Sequence, residues 1–179
     1  MEWTLANIVR THAVERGDRP MLTFGRRTIS YAEMHDASSR VAQGLLAEGI
    51  EAQDRVAFLD KNGPEYFEVL FGGAKVNAVN VAVNWRLAPE EMERTINDAR
   101  AKLLFVGAEL LPQIEEVQGK LGTVKKIIVL DGSSSTQKAT GGKAGHSSHE
   151  SYRSWMQRAE PRDPRRPRAC PTKQPFKGG

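Results

Sequence analysis

An α/β fold with a mostly parallel sheet flanked by helices is predicted by two features of the 179-residue sequence. Between Arg55 and Leu130, short β-rich runs alternate with segments whose apolar residues recur at helical spacing. Most of those helical segments open near a proline, which suits the first turn of a helix and not its interior. Alternation of this length implies βαβ units, parallel pairing and right-handed crossovers.

The elements follow in order. Leu5, Ile8, Val9 and His12 recur at helical spacing, predicting an amphipathic helix over Thr4–Arg16 with Thr4 as its cap and Gly17-Asp18 as its end. Met21–Phe24 and Thr28–Ser30 form two short strands around Gly25-Arg26-Arg27. A helix runs from Tyr31 to Glu48 on the apolar face of Ala37, Val41, Leu45 and Leu46, and Gly49 stops it. Strands are expected at Arg55–Leu59, Ala78–Val83, Leu103–Val106 and Lys126–Leu130. Helices are expected at Pro64–Val76, Pro89–Ala99 and Glu109–Leu121.

After Gly132 the rhythm stops. Ser133–Thr136 and the glycines 141, 142 and 145 form a polar stretch, and five prolines punctuate the sequence from Pro161 to Pro175. Too little apolar surface is present there to offset the entropy of ordering. The expectation is an ordered body over residues 1–132 and a disordered Ser/Gly-rich, then Pro/Arg-rich, tail over 133–179, with a brief helix near Tyr152–Gln157. Charge divides at the same point: 16 Lys+Arg face 19 Asp+Glu through Gly132, against 10 and 3 afterwards.

Composition bounds the function. No apolar run of about 18 residues suggests a membrane span, and the N-terminus mixes acids and arginines unlike a signal peptide. The single Cys170 excludes an intramolecular disulfide or a multi-cysteine zinc site. A cytoplasmic location is expected. The basic tail attracts phosphates without specificity, and its aromatics are too sparse for a base-stacking platform. No specific nucleic-acid partner is expected, so a basic-tailed nucleic-acid-binding protein is the remotest alternative.

Candidate reactive groups each have a plain reading. His12 lies at the apolar spacing of the first helix and is expected to pack. His35 has Glu33 and Asp36 nearby, but those offsets do not share a helix face. His146 and His149, beside Glu150, lack a third metal ligand. Thr140-Gly141-Gly142-Lys143-Ala144-Gly145 places a lysine among glycines, yet Ala144 stands where a phosphate-binding loop needs Ser or Thr. Cys170 is an ordinary thiol. No catalytic, cofactor-binding or metal residue is assigned.

Several segments carry a resemblance in a fixed order. Thr28-Ile29-Ser30-Tyr31-Ala32-Glu33 opens the second helix, and Asp54-Arg55-Val56-Ala57 opens the first parallel strand. Gly73-Ala74-Lys75-Val76-Asn77-Ala78-Val79 has Asn77 where glycine is common. Asn84-Trp85-Arg86-Leu87 then precedes Pro89-Glu90-Glu91, and Asn97-Asp98-Ala99 precedes Lys102. Together with Asn62–Glu68, this series resembles the early part of the ATP-dependent acyl-CoA synthetases, the adenylate-forming AMP-binding enzymes, fatty-acyl-CoA ligases in particular. Ser151–Trp155 resembles a "Y-x-x-[WL]" segment of the same enzymes.

The resemblance implies a partial N-terminal domain of a ligase that uses ATP, magnesium and CoA. The family's loop, roughly "[ST]-S-G-[ST]-T-G-x-P-K-G", has no match in these 179 residues. This chain is therefore expected to bind no cofactor and to be inactive alone, a truncated synthetase. Arg86 is expected to be a surface or helix-start arginine. An exposed sheet edge implies self-association or a full-length synthetase as partner, so the main alternative is a non-catalytic scaffold or regulatory subunit.

Overall fold

The computed structural model describes residues 4–130 and 149–164. Helix α1 (Leu5–Arg16) begins at Thr4, whose hydroxyl accepts the Asn7 N–H at 3.2 Å. The hairpin β1 (Pro20–Phe24) and β2 (Arg27–Ser30) follows, antiparallel, with Gly25 at φ 59° in its turn. Ser30 and Glu33 then start α2 (Tyr31–Ala47) reciprocally: the Ser30 hydroxyl accepts the Glu33 N–H, and the Glu33 carboxylate accepts the Ser30 N–H at 2.7 Å. The bond from the Ser30 N–H holds the Glu33 carboxyl below its ordinary range.

Five parallel strands form the main sheet: β3 (Arg55–Leu59), β4 (Val79–Ala82), β5 (Ala101–Gly107), β6 (Lys126–Leu130) and β7 (His149–Ser151). Their spatial order is β4-β3-β5-β6-β7. Helices α3 (Pro64–Lys75), α4 (Pro89–Asp98), α5 (Leu111–Val117) and α6 (Tyr152–Gln157) complete the fold. The helix expected through Leu121 ends at Val117 and finishes in one 3-10 turn, Gln118–Lys120.

Both faces of the sheet are covered, which is why β3 and β5 are apolar without alternation. Val56, Phe58, Leu103 and Phe105 pack under α2, α3 and α6, while Ala57, Leu59, Leu104 and Val106 pack under α4 and α5. A smaller cluster of Val9, Ile29, Met34 and Phe71 fastens α1 and the hairpin to the outer side of α2 and α3. Asn77 ends the α3–β4 turn at φ 59°, a left-handed conformation that asparagine tolerates better than most residues. The glycine common at that position in the resembled family meets the same steric demand.

The boundary at Gly132 needs correction. The helix expected near Tyr152–Gln157 is present with those bounds, but β7 precedes it and pairs in parallel with β6, so residues 149–164 belong to the body. Trp155, 1% exposed, is among its most deeply buried side chains. A three-residue strand leaves no periodic signal, and one tryptophan with one tyrosine anchors more apolar area than local composition suggests. The residues beyond follow the body's surface: Arg40 donates to the Ala159 carbonyl, Gln43 to that of Arg162, and Arg10 grips the Asp163 carboxylate at 2.6 and 2.8 Å. Residues 131–148 and 165–179, with Thr140–Gly145, His146 and Cys170, lie outside the described residues.

Candidate functional site

The strand order reverses between β3 and β5, because the chain leaves β3 toward β4 and returns past β3 to β5. In open α/β sheets, ligands bind beyond the carboxyl ends of strands at such a reversal. Asp60 and Lys61 follow β3 there, Trp85 and Arg86 follow β4, and Glu109 follows β5. The Asp60 carboxylate accepts the Lys61 N–H at 2.7 Å, and burial holds its carboxyl above the usual range. It occupies the space that a Cβ at Gly107 would need, so a side chain there would collide with it. Lys61 pairs with Glu109 at 2.5 Å, and its ammonium lies 5.6 Å from the Trp85 ring.

Arg86 stacks on Trp85 with 4.0 Å from guanidinium carbon to ring centroid. It is exposed, as expected of a helix-start arginine, and among the described residues no carboxylate forms a salt bridge with it. An indole braced by two cations offers an anionic group a flat, positively charged surface.

Two further clusters lie on the opposite side, between helices. Lys75 is 1% exposed, yet it is a lysine on the apolar stripe of α3. Its ammonium donates to the His35 carbonyl at 2.9 Å and the Ser39 hydroxyl at 2.7 Å, and lies 3.3 Å from His35 Nδ1. Burial pushes the Lys75 pKa down to about 8, opposed by the Asp163 charge. Burial, and secondarily Lys75, pushes His35 down as well. Histidine 35 thus meets a lysine from a neighbouring helix, and Glu33 is engaged in the cap of α2.

Glu68, one and two helical turns before Phe71 and Lys75, is buried beneath a groove of about 730 Å³ that Arg27, Arg40 and Glu65 help line. The Tyr152 hydroxyl donates to its carboxylate at 2.8 Å. Burial raises the pKa of both groups. Tyr152→Phe is expected to cost about 1–3 kcal/mol, since Glu68 stays buried without its donor; chemical denaturation measures it, and an unchanged midpoint contradicts the pairing. Lys75 and Glu68 escaped the sequence analysis, although two charged residues seven positions apart on the apolar stripe that carries Phe71 were the available sign.

His12 packs as expected, meeting Tyr31 edge to face at 5.2 Å. His149 Nδ1 lies 3.9 Å from a Glu115 oxygen. Among the described residues, no three His, Cys, Asp or Glu side chains are grouped to hold a metal ion. No described helix is long and apolar enough to cross a membrane.

This doubly wound arrangement coincides with a family match. The model of AMP-binding enzymes matches residues 9–172, nearly the whole chain. The chain belongs to the AMP-binding enzyme family. It is 35% identical over 137 residues to a fatty acid–[acyl-carrier-protein] ligase of Streptomyces coeruleorubidus, covering 76% of this chain and 26% of that protein. A 3-hydroxybenzoate–CoA ligase of an Aromatoleum species is 33% identical over 112 residues, 63% of this chain and 21% of the relative. Among solved structures, a Mycobacterium tuberculosis fatty acyl CoA synthetase superposes with a TM-score of 0.75 at 26% identity, over 90% of this chain and 29% of that one. This chain thus spans about a quarter of the length of the relatives it matches.

Proposed function

We propose that this AMP-binding chain is the early part of a ligase that activates a fatty acid as its adenylate and passes the acyl group to a thiol, and that these 179 residues do not catalyse the reaction alone. The observation that carries the reading is the family match along residues 9–172. The chemistry follows from the relatives' names: a ligase that joins an acid to a thiol must first make the carboxylate a better electrophile. A fatty acid is preferred because the Streptomyces ligase and the mycobacterial synthetase both carry that substrate class in their names. The Aromatoleum relative makes an aromatic acid the second reading.

The described residues do not fit a magnesium nucleotide. Among them no three His, Cys, Asp or Glu side chains are grouped to hold a metal ion, and the sequence has no Ser/Thr-Gly loop ending in Pro-Lys-Gly. Stabilising charge on a phosphate under attack requires such donors, so no step of the reaction is assigned here. The role of this part is to build the sheet and its carboxyl edge, where Arg86 on Trp85 offers a positive surface to an anionic reactant.

The test is pyrophosphate release from ATP and magnesium, with CoA and either a fatty or an aromatic acid. The expected result for the chain alone is no acid-dependent release. Release above the acid-free control overturns its inactivity, and dependence on the aromatic acid only overturns the substrate class.

A further inference from the structure

Glu68 departs from the way this fold treats its other buried carboxylate. Asp54 pairs with Lys102 at 2.7 Å. Glu68 is 6% exposed, and among the described residues no lysine, arginine or histidine forms a salt bridge with it. Its Oε2 accepts the Tyr152 hydroxyl at 2.8 Å, and its Oε1 receives no hydrogen bond among the described residues. A buried carboxylate with a single donor is costly to keep ionised.

The position opens one way. Glu68 lines the groove of about 730 Å³ walled by α2, α3 and α6, so the exposure it keeps is toward that groove. Such a volume is that of a small-molecule site. Glu65, one turn earlier on α3, lines it too. Glu65 acts on Glu68 more strongly than the opposing Arg27 does, so the local field is that of an unmatched anion. Arg40 donates to the Ala159 carbonyl at 2.7 Å, while Arg27 and Arg153 are exposed, where water and salt screen them.

We propose that this groove binds a primary alkylammonium group, seated on the Oε1 oxygen of Glu68. The shape of the acceptor selects the cation. Tyr152 occupies one carboxylate oxygen, which denies a guanidinium its two-pronged contact. An ammonium is a compact charge with three N–H donors. One donor meets Glu68, and Glu65 and the Tyr152 oxygen are acceptors for the others. A quaternary ammonium has no N–H to give. A stem of a few methylenes lies along Met156 and Ala37, the apolar part of the wall. The group can belong to a free amine or to a lysine side chain of a peptide. The chain's net charge of +4 repels cations overall, so a cation held here is held by the site.

The experiment titrates the full chain with butylammonium chloride to about 20 mM at matched chloride, followed by calorimetry and by the NMR shift of the Met156 methyl group. Saturable one-to-one binding that moves this methyl is expected. Tetramethylammonium, guanidinium and butanol are each expected to bind at least about tenfold more weakly. Lysine blocked at its α-amino and carboxyl groups forms a second arm, and the tighter of it and butylammonium names the source. Glu68→Gln keeps a carbonyl for Tyr152 but loses the charge. It is expected to melt cooperatively and to weaken binding at least about tenfold. Should it not melt cooperatively, Glu65→Gln, at a partly exposed position, takes its place with an expected loss of about threefold. Absence of saturable binding, equal binding of butanol or tetramethylammonium, or undiminished affinity in the variant that folds each overturns the proposal. The readout involves no ATP, so its failure leaves the ligase reading standing, and the reverse holds as well.

Discussion

Trp155→Ala is expected to destabilise the fold by about 3–5 kcal/mol, the cost of deleting a buried aromatic side chain. The indole fills the space between the sheet and α2, meeting Phe105 edge to face at 5.3 Å and stacking on Tyr152 at 6.0 Å. Its Nε1–H donates to Glu48 at 3.1 Å. Glu48 retains Lys126 at 2.7 Å after the substitution, so the loss is one of packing and not of an orphaned charge. Gly44 is where the indole comes closest to α2, and a Cβ added there would collide with the ring.

That collision supplies an internal control. Gly44→Ala is expected to destabilise the native protein, whereas in Trp155→Ala the same methyl enters vacated space and costs little. The two substitutions should therefore be strongly non-additive. Urea denaturation of the four proteins measures it, with slopes of about 1–3 kcal/mol per molar for a chain of this size. Additive effects would contradict the placement of residues 149–164 in the body.

Lys75→Met is expected to remove a rise in stability above pH 8. The Lys75 ammonium titrates near 8 in the folded chain and at its ordinary 10.5 when unfolded. Between those values the unfolded chain binds more protons than the folded one, so stability grows with pH across the window and is reduced below it. From pH 8 to 9.5 the gain is about 1.5 kcal/mol, which the methionine variant should lack. His35 is pushed down from 6.5 and titrates below this window. Tyr152, raised above 10, acts at the upper end in both proteins and cancels in the difference.

At neutral pH the methionine should cost little or stabilise. Its volume fits a lysine stem, and no partner is left orphaned: the Ser39 hydroxyl still donates to the His35 carbonyl at 2.7 Å, and Asp163 keeps Arg10. Replacing a buried charge by an apolar group of similar shape is often neutral or favourable. Thermal melts from pH 6 to 9.5 provide the comparison. A parallel pH profile in the variant would show that Lys75 is solvated.

Most of the body was legible because its signals are local. Thr4 and Ser30 cap helices through atoms three residues away, and Arg55–Leu59 is apolar on both faces because both faces are covered. Asn77 stands where the resembled family commonly has glycine, and only its φ of 59° gives the reason, a left-handed turn. The candidate site was less legible. Trp85 and Arg86 lay in a recognisable segment, but their stacking beside Lys61 depends on β3 and β4 becoming neighbours. Lys75 and His35 are 40 positions apart, and Tyr152 and Glu68 are 84 apart.

The sequence by itself determined the α/β class, most element positions and the family, since periodicity, caps and ordered motifs are properties of neighbouring residues. Only the tertiary structure decided that the strand order reverses between β3 and β5, and that residues 149–164 close the sheet over a buried tryptophan. It alone showed that β4 has an uncharged open edge while the β7 edge is engaged by ion pairs. The physical reason is the range of the forces involved. Capping and periodicity act within a few residues, whereas strand order and burial are settled by which distant surfaces exclude water together.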